Sequence, residues 1–271
     1  MNTISLIFNT AIYNPLFNAL VLVYNILPWK SMGLAIIVFT IIIRLILYPL
    51  SKKAIESQRA LQKMQPMMNE IREKYKDDKQ KQTEETMKLY SENKISPLSS
   101  CLPLLLQLPI LWALNIAFRE VFSENGFSAL YAFVHKPDFV QGIFLGFIHL
   151  AEPKNIPLAV LAGAAQFVQS WMLMQKTKKP KNAIQKDTKK SQEEQMADAT
   201  QAMSRNMTYL FPLVTVWFGY SLPAGLSLYW LITTLFAVLQ QWLVERQYAK
   251  KEQAAAAAAS TSGSNEAPKA S

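Results

Sequence analysis

The chain has 271 residues, 51% of them hydrophobic and only 17% charged, with 28 Lys+Arg against 19 Asp+Glu and a net charge of +9. Globular chains carry about 25% charge, so this combination argues against a nucleic-acid-binding domain, whose basic surface accompanies an ordinary charged fraction, and against disorder. One cysteine excludes a disulfide framework and a multi-cysteine metal site.

Residues 4–27 are apolar and long enough to cross a bilayer, but Asn14-Pro15 interrupts them. Asn14, Asn18 and Asn25 share one helix face, which suits a helix lying in the outer interface, so 1–32 is read as an interfacial region. A crossing here would only move the N-terminus inside. No Lys or Arg precedes Lys30, against a secretory signal or transit peptide.

A first span is predicted over 33–51 (GLAIIVFTIIIRLILYPLS), and a polar segment follows over 52–95. In that segment Met64, Met68, Ile71 and Tyr75 continue a helical period begun at Leu61. Asp77-Asp78 breaks the pattern and a second helix resumes around Met87, Leu89 and Tyr90, so the segment reads as a helical hairpin. Pro66 is expected to kink its first arm. The thioethers of Met64, Met67 and Met68 suit adaptable contacts, although for any single one zipping the hairpin together is the favoured reading.

A second span is predicted over 96–118, with the lone thiol Cys101 at its entrance read as packing. The outer loop 119–154 contains FVQGIFLGFIHL (139–150), which is too short to cross and is assigned to the outer membrane interface. A third span covers 155–174, and a Lys-rich loop covers 175–205. The stretch 207–243 is about twice the length of one span, and Pro223-Ala224-Gly225 divides it into 206–222 and 223–243. The tail 244–271 ends in low-complexity sequence and is expected to be disordered.

Three segments, 51–97, 175–205 and 244–271, hold 23 of the 28 cations. Positive loops stay cytoplasmic, so five spans with the N-terminus outside and the C-terminus inside satisfy every basic segment. The expected fold is therefore all-α and polytopic: five transmembrane helices, an outer interfacial helix and a cytoplasmic helical hairpin.

Within these spans there is no Asp, Glu, His or Lys, and there is one Arg. An arginine at a helix centre costs about 2.5–3.5 kcal/mol even on the lenient insertion scale, so Arg44 needs a partner or water. It lies eight residues before Lys52, which places it ~12 Å from the cytoplasmic edge. Snorkelling over that distance is possible but stretched. Thr40, Arg44, Tyr48 and Ser51 share a face. The other spans carry Gln107 and Asn115, then Gln166, Gln169 and Ser170, then Thr208 and Thr215, then Ser227, Trp230, Thr234 and Gln241. Singly, such residues are more often helix–helix hydrogen bonds than a site. Together, around one cation with no acid to pair with, they suggest a hydrated cavity open toward the cytoplasm. The buried carboxylates or histidines of a coupled transporter are missing, and so are the pairs of an intramembrane protease. No enzyme, cofactor or metal site is expected. A small channel or transporter for an anionic solute is the alternative reading.

These residues resemble the YidC/Oxa membrane protein insertase family over about 13–245. The carriers are GLAIIVFTIIIRLILYPL with its Arg44, MQPMMNEIREKYKDD (64–78), SPLSSCLPLLLQLPI (96–110), LPAGLSLYW (222–230) and QQW (240–242). The resemblance implies the five-helix fold, a bacterial plasma-membrane location and the lateral insertion of newly made membrane proteins, alone or beside the Sec translocon and the ribosomal targeting machinery. It also implies that Arg44, with Thr40 one turn away, sits in a hydrophilic groove receiving polar or acidic substrate segments. Gln107, Tyr229 and Trp230 match positions facing that groove, and the hairpin matches the region of substrate capture. Against the Gram-negative pattern no large periplasmic domain is expected before its core, and against the Gram-positive pattern no lipoprotein cysteine is expected near its start, Cys101 being the one cysteine in the sequence. A tail with only Lys269 basic after residue 253 is a poor ribosomal RNA anchor.

Overall fold

The computed structural model describes residues 3–93, 102–123, 126–174 and 209–263. The expectations placed on Cys101, on 175–205, on Thr208 and on the last eight residues of the tail lie outside them.

The chain opens with α1 (Thr3–Phe8), a widened π-turn (Asn9–Tyr13) and α2 (Asn14–Ile26). The N–H of Asn14 reaches back five residues to the carbonyl of Asn9, and Pro15 follows in the first turn of α2. A proline ring crowds the carbonyl four residues before it, and a widened turn gives it room without ending the helix. The asparagine stripe faces the chain itself. Asn18 is buried, donates to the carbonyls of Asn14 (2.8 Å) and Ala129 (2.9 Å), and accepts from the N–H of Tyr131 (2.7 Å). Asn25 donates to the carbonyl of His135. The loop 126–142 is thus bonded to α2, because its own backbone groups have no strand or helix to satisfy them.

Helix α3 (Met32–Ile46) turns through 65° at Leu47 into α4 (Tyr48–Lys74). Pro49 explains the break, since it lacks an N–H for the next helical bond and its ring would strike the carbonyl of Leu45. By contrast α4 remains helical through Pro66. After the turn 75–78, α5 (Lys79–Glu92) starts on Asp78, whose carboxylate accepts from the N–H of Lys81. Helix α6 (Leu102–Val121) leads to the loop 122–155, which contains the short antiparallel hairpin β1 (Ile143–Phe144) and β2 (Ile148–His149). Helix α7 (Ile156–Met174), a helix α8 described over 209–221, and α9 (Ala224–Gly263) complete the chain.

Among the described residues, Ser5–Ile26, Ile156–Leu173 and Ala224–Ala254 are long and apolar enough to cross a membrane, and the bent pair α3–α4 makes a fourth candidate. The first of these is the window expected to lie in the interface. Helix α9 also runs past residue 243 to Gly263, where a disordered tail was expected. The six alanines at 254–259 account for the difference, alanine being the strongest helix former.

Phe17, Leu20, Ile36, Phe39, Leu114, Phe118, Leu226 and Tyr229 bring α2, α3, α6 and α9 into one core. The first two N–H groups of α9 are capped from the loop: Ala224 donates to the carbonyl of Glu152 and Gly225 to that of Leu150, both at 2.9 Å.

Candidate functional site: an Arg–Gln–Tyr chain between three helices

Three helices meet at Arg44. Arg44, in the last turn of α3, donates through Nη2 to Oε1 of Gln107 on α6 at 3.1 Å. Gln107 donates in turn through Nε2 to the hydroxyl of Tyr229 on α9 at 2.8 Å. Arg44 and Gln107 are half-buried, whereas Tyr229 is almost fully enclosed. Among the described residues no carboxylate pairs with Arg44. A guanidinium has five N–H donors, and a neutral amide oxygen satisfies one without cancelling the charge. The arrangement therefore fixes the direction of the side chain and leaves a positive charge that an anionic group can still meet.

The remaining candidates do not join this chain. Thr40 is fully buried, and its hydroxyl donates to the carbonyl of Ile36 at 2.6 Å. Thr215 and Thr234 likewise donate to the carbonyls of Phe211 and Trp230, each four residues back. Hydroxyls used in this way satisfy themselves within their own helix and hold no donor ready for a ligand. Trp230 stacks against Phe218 with ring centroids 6.4 Å apart. On α7, Gln166 donates to Gln169 at 3.3 Å. Asn115 lies eight residues beyond Gln107 on α6, and its buried Oδ1 has no hydrogen-bond partner among the described residues. An open acceptor of that kind is costly when dry and is satisfied by water or a passing donor.

In the hairpin, Met64 and Met68 are buried, and the Tyr90 hydroxyl contacts Sδ of Met68 at 3.4 Å. They zip α4 to its surroundings. Met67 is exposed, Ile71 is half-buried, and Tyr75 is half-buried beneath the ammonium groups of Lys74 and Lys81.

Sequence reasoning missed the joint that holds the hairpin. Glu252 on the α9 extension pairs with Arg59 (3.0 Å) and Lys63 (2.5 Å) of α4, and the Arg59 guanidinium lies 4.7 Å from the centre of the Tyr248 ring. Gln62 donates to the carbonyl of Leu173 at the end of α7, and Gln240 to that of Tyr48. Glu252 stands nearly 200 residues from its partners at the edge of an alanine run, and no local pattern marks it.

The family described as 60Kd inner membrane protein matches residues 22–252. The chain belongs to that family. Its relatives include the membrane protein insertase YidC of Fusobacterium nucleatum, 34% identical over 220 residues that cover 81% of this chain and 88% of that protein. The YidC proteins of Histophilus somni strain 129Pt and Haemophilus influenzae are 34% and 35% identical over 242 residues, 89% of this chain but 38% of each relative. The chain thus spans well under half the length of those two relatives. Among solved structures, the active YidC insertase crystal structure with its first transmembrane domain resolved aligns with a TM-score of 0.53 and 28% identity, over 84% of this chain and 45% of the other. This family of membrane protein insertases is a family of multi-pass proteins of the bacterial inner membrane, in keeping with the long apolar helices seen here.

Proposed function

We propose that the chain inserts newly synthesised membrane proteins laterally into the bilayer, through a hydrophilic groove that opens toward the cytoplasm and has Arg44 at its centre. The observation that carries this reading is the Arg44–Gln107–Tyr229 chain, which holds one uncancelled cation where α3, α6 and α9 meet. Translocating a polar segment costs mainly desolvation, and a wet recess part-way through the membrane shortens the dry path. The charge adds attraction for an acidic substrate terminus in a medium less screening than water. The substrate's apolar helix then gains transfer energy as it leaves into lipid, so no nucleotide is required.

The polytopic arrangement proposed has the N-terminus outside and the C-terminus in the cytoplasm, as supported by the 23 cations in the three segments placed inside. That orientation puts the α4–α5 hairpin where a nascent chain arrives, with the exposed Met67 as a contact. Nascent membrane proteins, the Sec translocon and the ribosomal targeting machinery are the partners that fit.

Photo-crosslinkers introduced at positions 40, 44 and 230 test the reading against a stalled nascent membrane protein. Adducts at 44 and 230 are expected. Their absence, with solute flux through reconstituted vesicles in their place, would favour a channel.

A further inference from the structure

The hairpin β1–β2 ends in a turn whose first residue is unusual for its backbone geometry. Leu145 (φ 54°) and Gly146 (φ 81°) both adopt left-handed backbone, as a tight hairpin turn demands, and the N–H of Phe147 closes it on the carbonyl of Phe144. Asparagine, aspartate or glycine meets that demand without strain. Here the first position is a leucine whose side chain is 67% exposed, and Phe147 at the other end of the turn is exposed to the same extent. Neither side chain helps to form the turn, and neither packs in the core.

The base of the hairpin is held rigidly. The Phe144 ring occupies the space a Cβ at Gly33 would need, so this face of α3 is open only because residue 33 is glycine. Gln141 bridges Ser31, and Leu150 donates to the carbonyl of Gly142 while its own carbonyl caps Gly225. A turn fixed at once to the starts of α3 and α9 cannot fold its tip back onto the protein.

We infer that this tip is a prong that sits in the lipid of the leaflet farther from the α4–α5 hairpin, with Leu145 and Phe147 among the acyl chains just below the headgroups. The occupant follows from continuity with the membrane-facing surface. Helix α7 begins at Ile156, a few residues after β2, and its Ile156, Val160 and Leu161 are exposed on a helix long and apolar enough to cross the bilayer. Exposed Trp29, Phe133 and Phe139 lie beside the same structure, since Phe139 accepts from Tyr24 and the His135 carbonyl from Asn25, just before Trp29. Tryptophan collects at the membrane–water boundary, and the exposed phenylalanine rings beside Trp29 add apolar surface there. The prong would set the depth of α3, and with it of Arg44, relative to that boundary.

The test uses the full chain in a Cys101→Ser background, in vesicles of phosphatidylethanolamine and phosphatidylglycerol. A fluorophore is attached at Leu145→Cys or Phe147→Cys, and at the exposed hairpin residue Ser91→Cys as an aqueous control. Labels at 145 and 147 are expected to lose most of the iodide quenching seen at 91 and to be quenched by nitroxides placed high on the lipid chain. Iodide access equal to that at 91 would overturn the inference. So would a 145–145 disulfide between copies, or shielding from both quenchers, since either would mean that protein covers the tip.

Discussion

Replacing Gln107 by glutamate separates the charge of Arg44 from the shape around it. The new carboxylate would occupy nearly the volume of the amide, with an oxygen about where Oε1 now lies, 3.1 Å from Nη2 of Arg44. An ion pair forms in place of a neutral hydrogen bond, so the contact between α3 and α6 is kept. The charge offered to a substrate is cancelled. Two unit charges about 4 Å apart attract by roughly 4 kcal/mol at an effective dielectric constant of 20. Arg44 is only half-buried, so water reduces this, and a loss of about 1–2 kcal/mol is expected in the capture of an acidic segment, which is about a 5–30-fold effect. The assay is protease protection of a substrate inserted into proteoliposomes, run with an acidic and with an uncharged N-terminal segment. Gln107→Glu should depress the first and spare the second, with thermal unfolding in detergent unchanged or raised. Equal insertion of both substrates at the unaltered rate would refute the electrostatic argument.

The other expectations rest on separate contacts. Arg44→Ala should impair acidic-tailed substrates and Arg44→Lys should retain much of their insertion, whereas normal insertion by Arg44→Glu would rule out attraction. Asn18→Leu strands the Tyr131 N–H and the carbonyl of Ala129, at about 1–3 kcal/mol for each buried group left unsatisfied, so the melting temperature should drop and protease should cut the 126–142 loop sooner. Gly33→Ala forces the Phe144 ring aside, at about 1–3 kcal/mol for overpacking, again read by thermal unfolding. Glu252→Lys sets three cations against one another at an exposed joint. Amide exchange in α4 and α5 should then accelerate while global unfolding hardly moves, and high salt should produce part of the same effect in the unaltered chain.

Much of the architecture is local and therefore legible in the residues. Helices persist where apolar runs leave the backbone no partner but itself. The break near residue 75 follows from Asp77-Asp78, and the division at 223 follows from a proline before a glycine. Arg44 stands out because one cation among apolar spans needs no alignment to be noticed. The same reasoning put the kink at Pro66, yet the sharp bend lies at Leu47 just before Pro49 while α4 stays helical through Pro66, and no local pattern ranks the two prolines. Tyr75 and the methionines could be ranked only by burial, which depends on what packs against α4.

The sequence by itself determined that the chain is helical and membrane-embedded, and it singled out one arginine among apolar runs, because hydropathy, charge and turn chemistry act over a few residues at a time. Only the tertiary structure decided which polar groups meet. Gln107 turned out to bridge Arg44 to Tyr229 while Thr40 and Thr234 bonded their own helices, and the asparagines of α2 proved to hold a loop more than a hundred residues away. A hydrogen bond requires donor and acceptor within about 3 Å, and that distance is set by the packing of several helices together, which no single stretch of chain encodes.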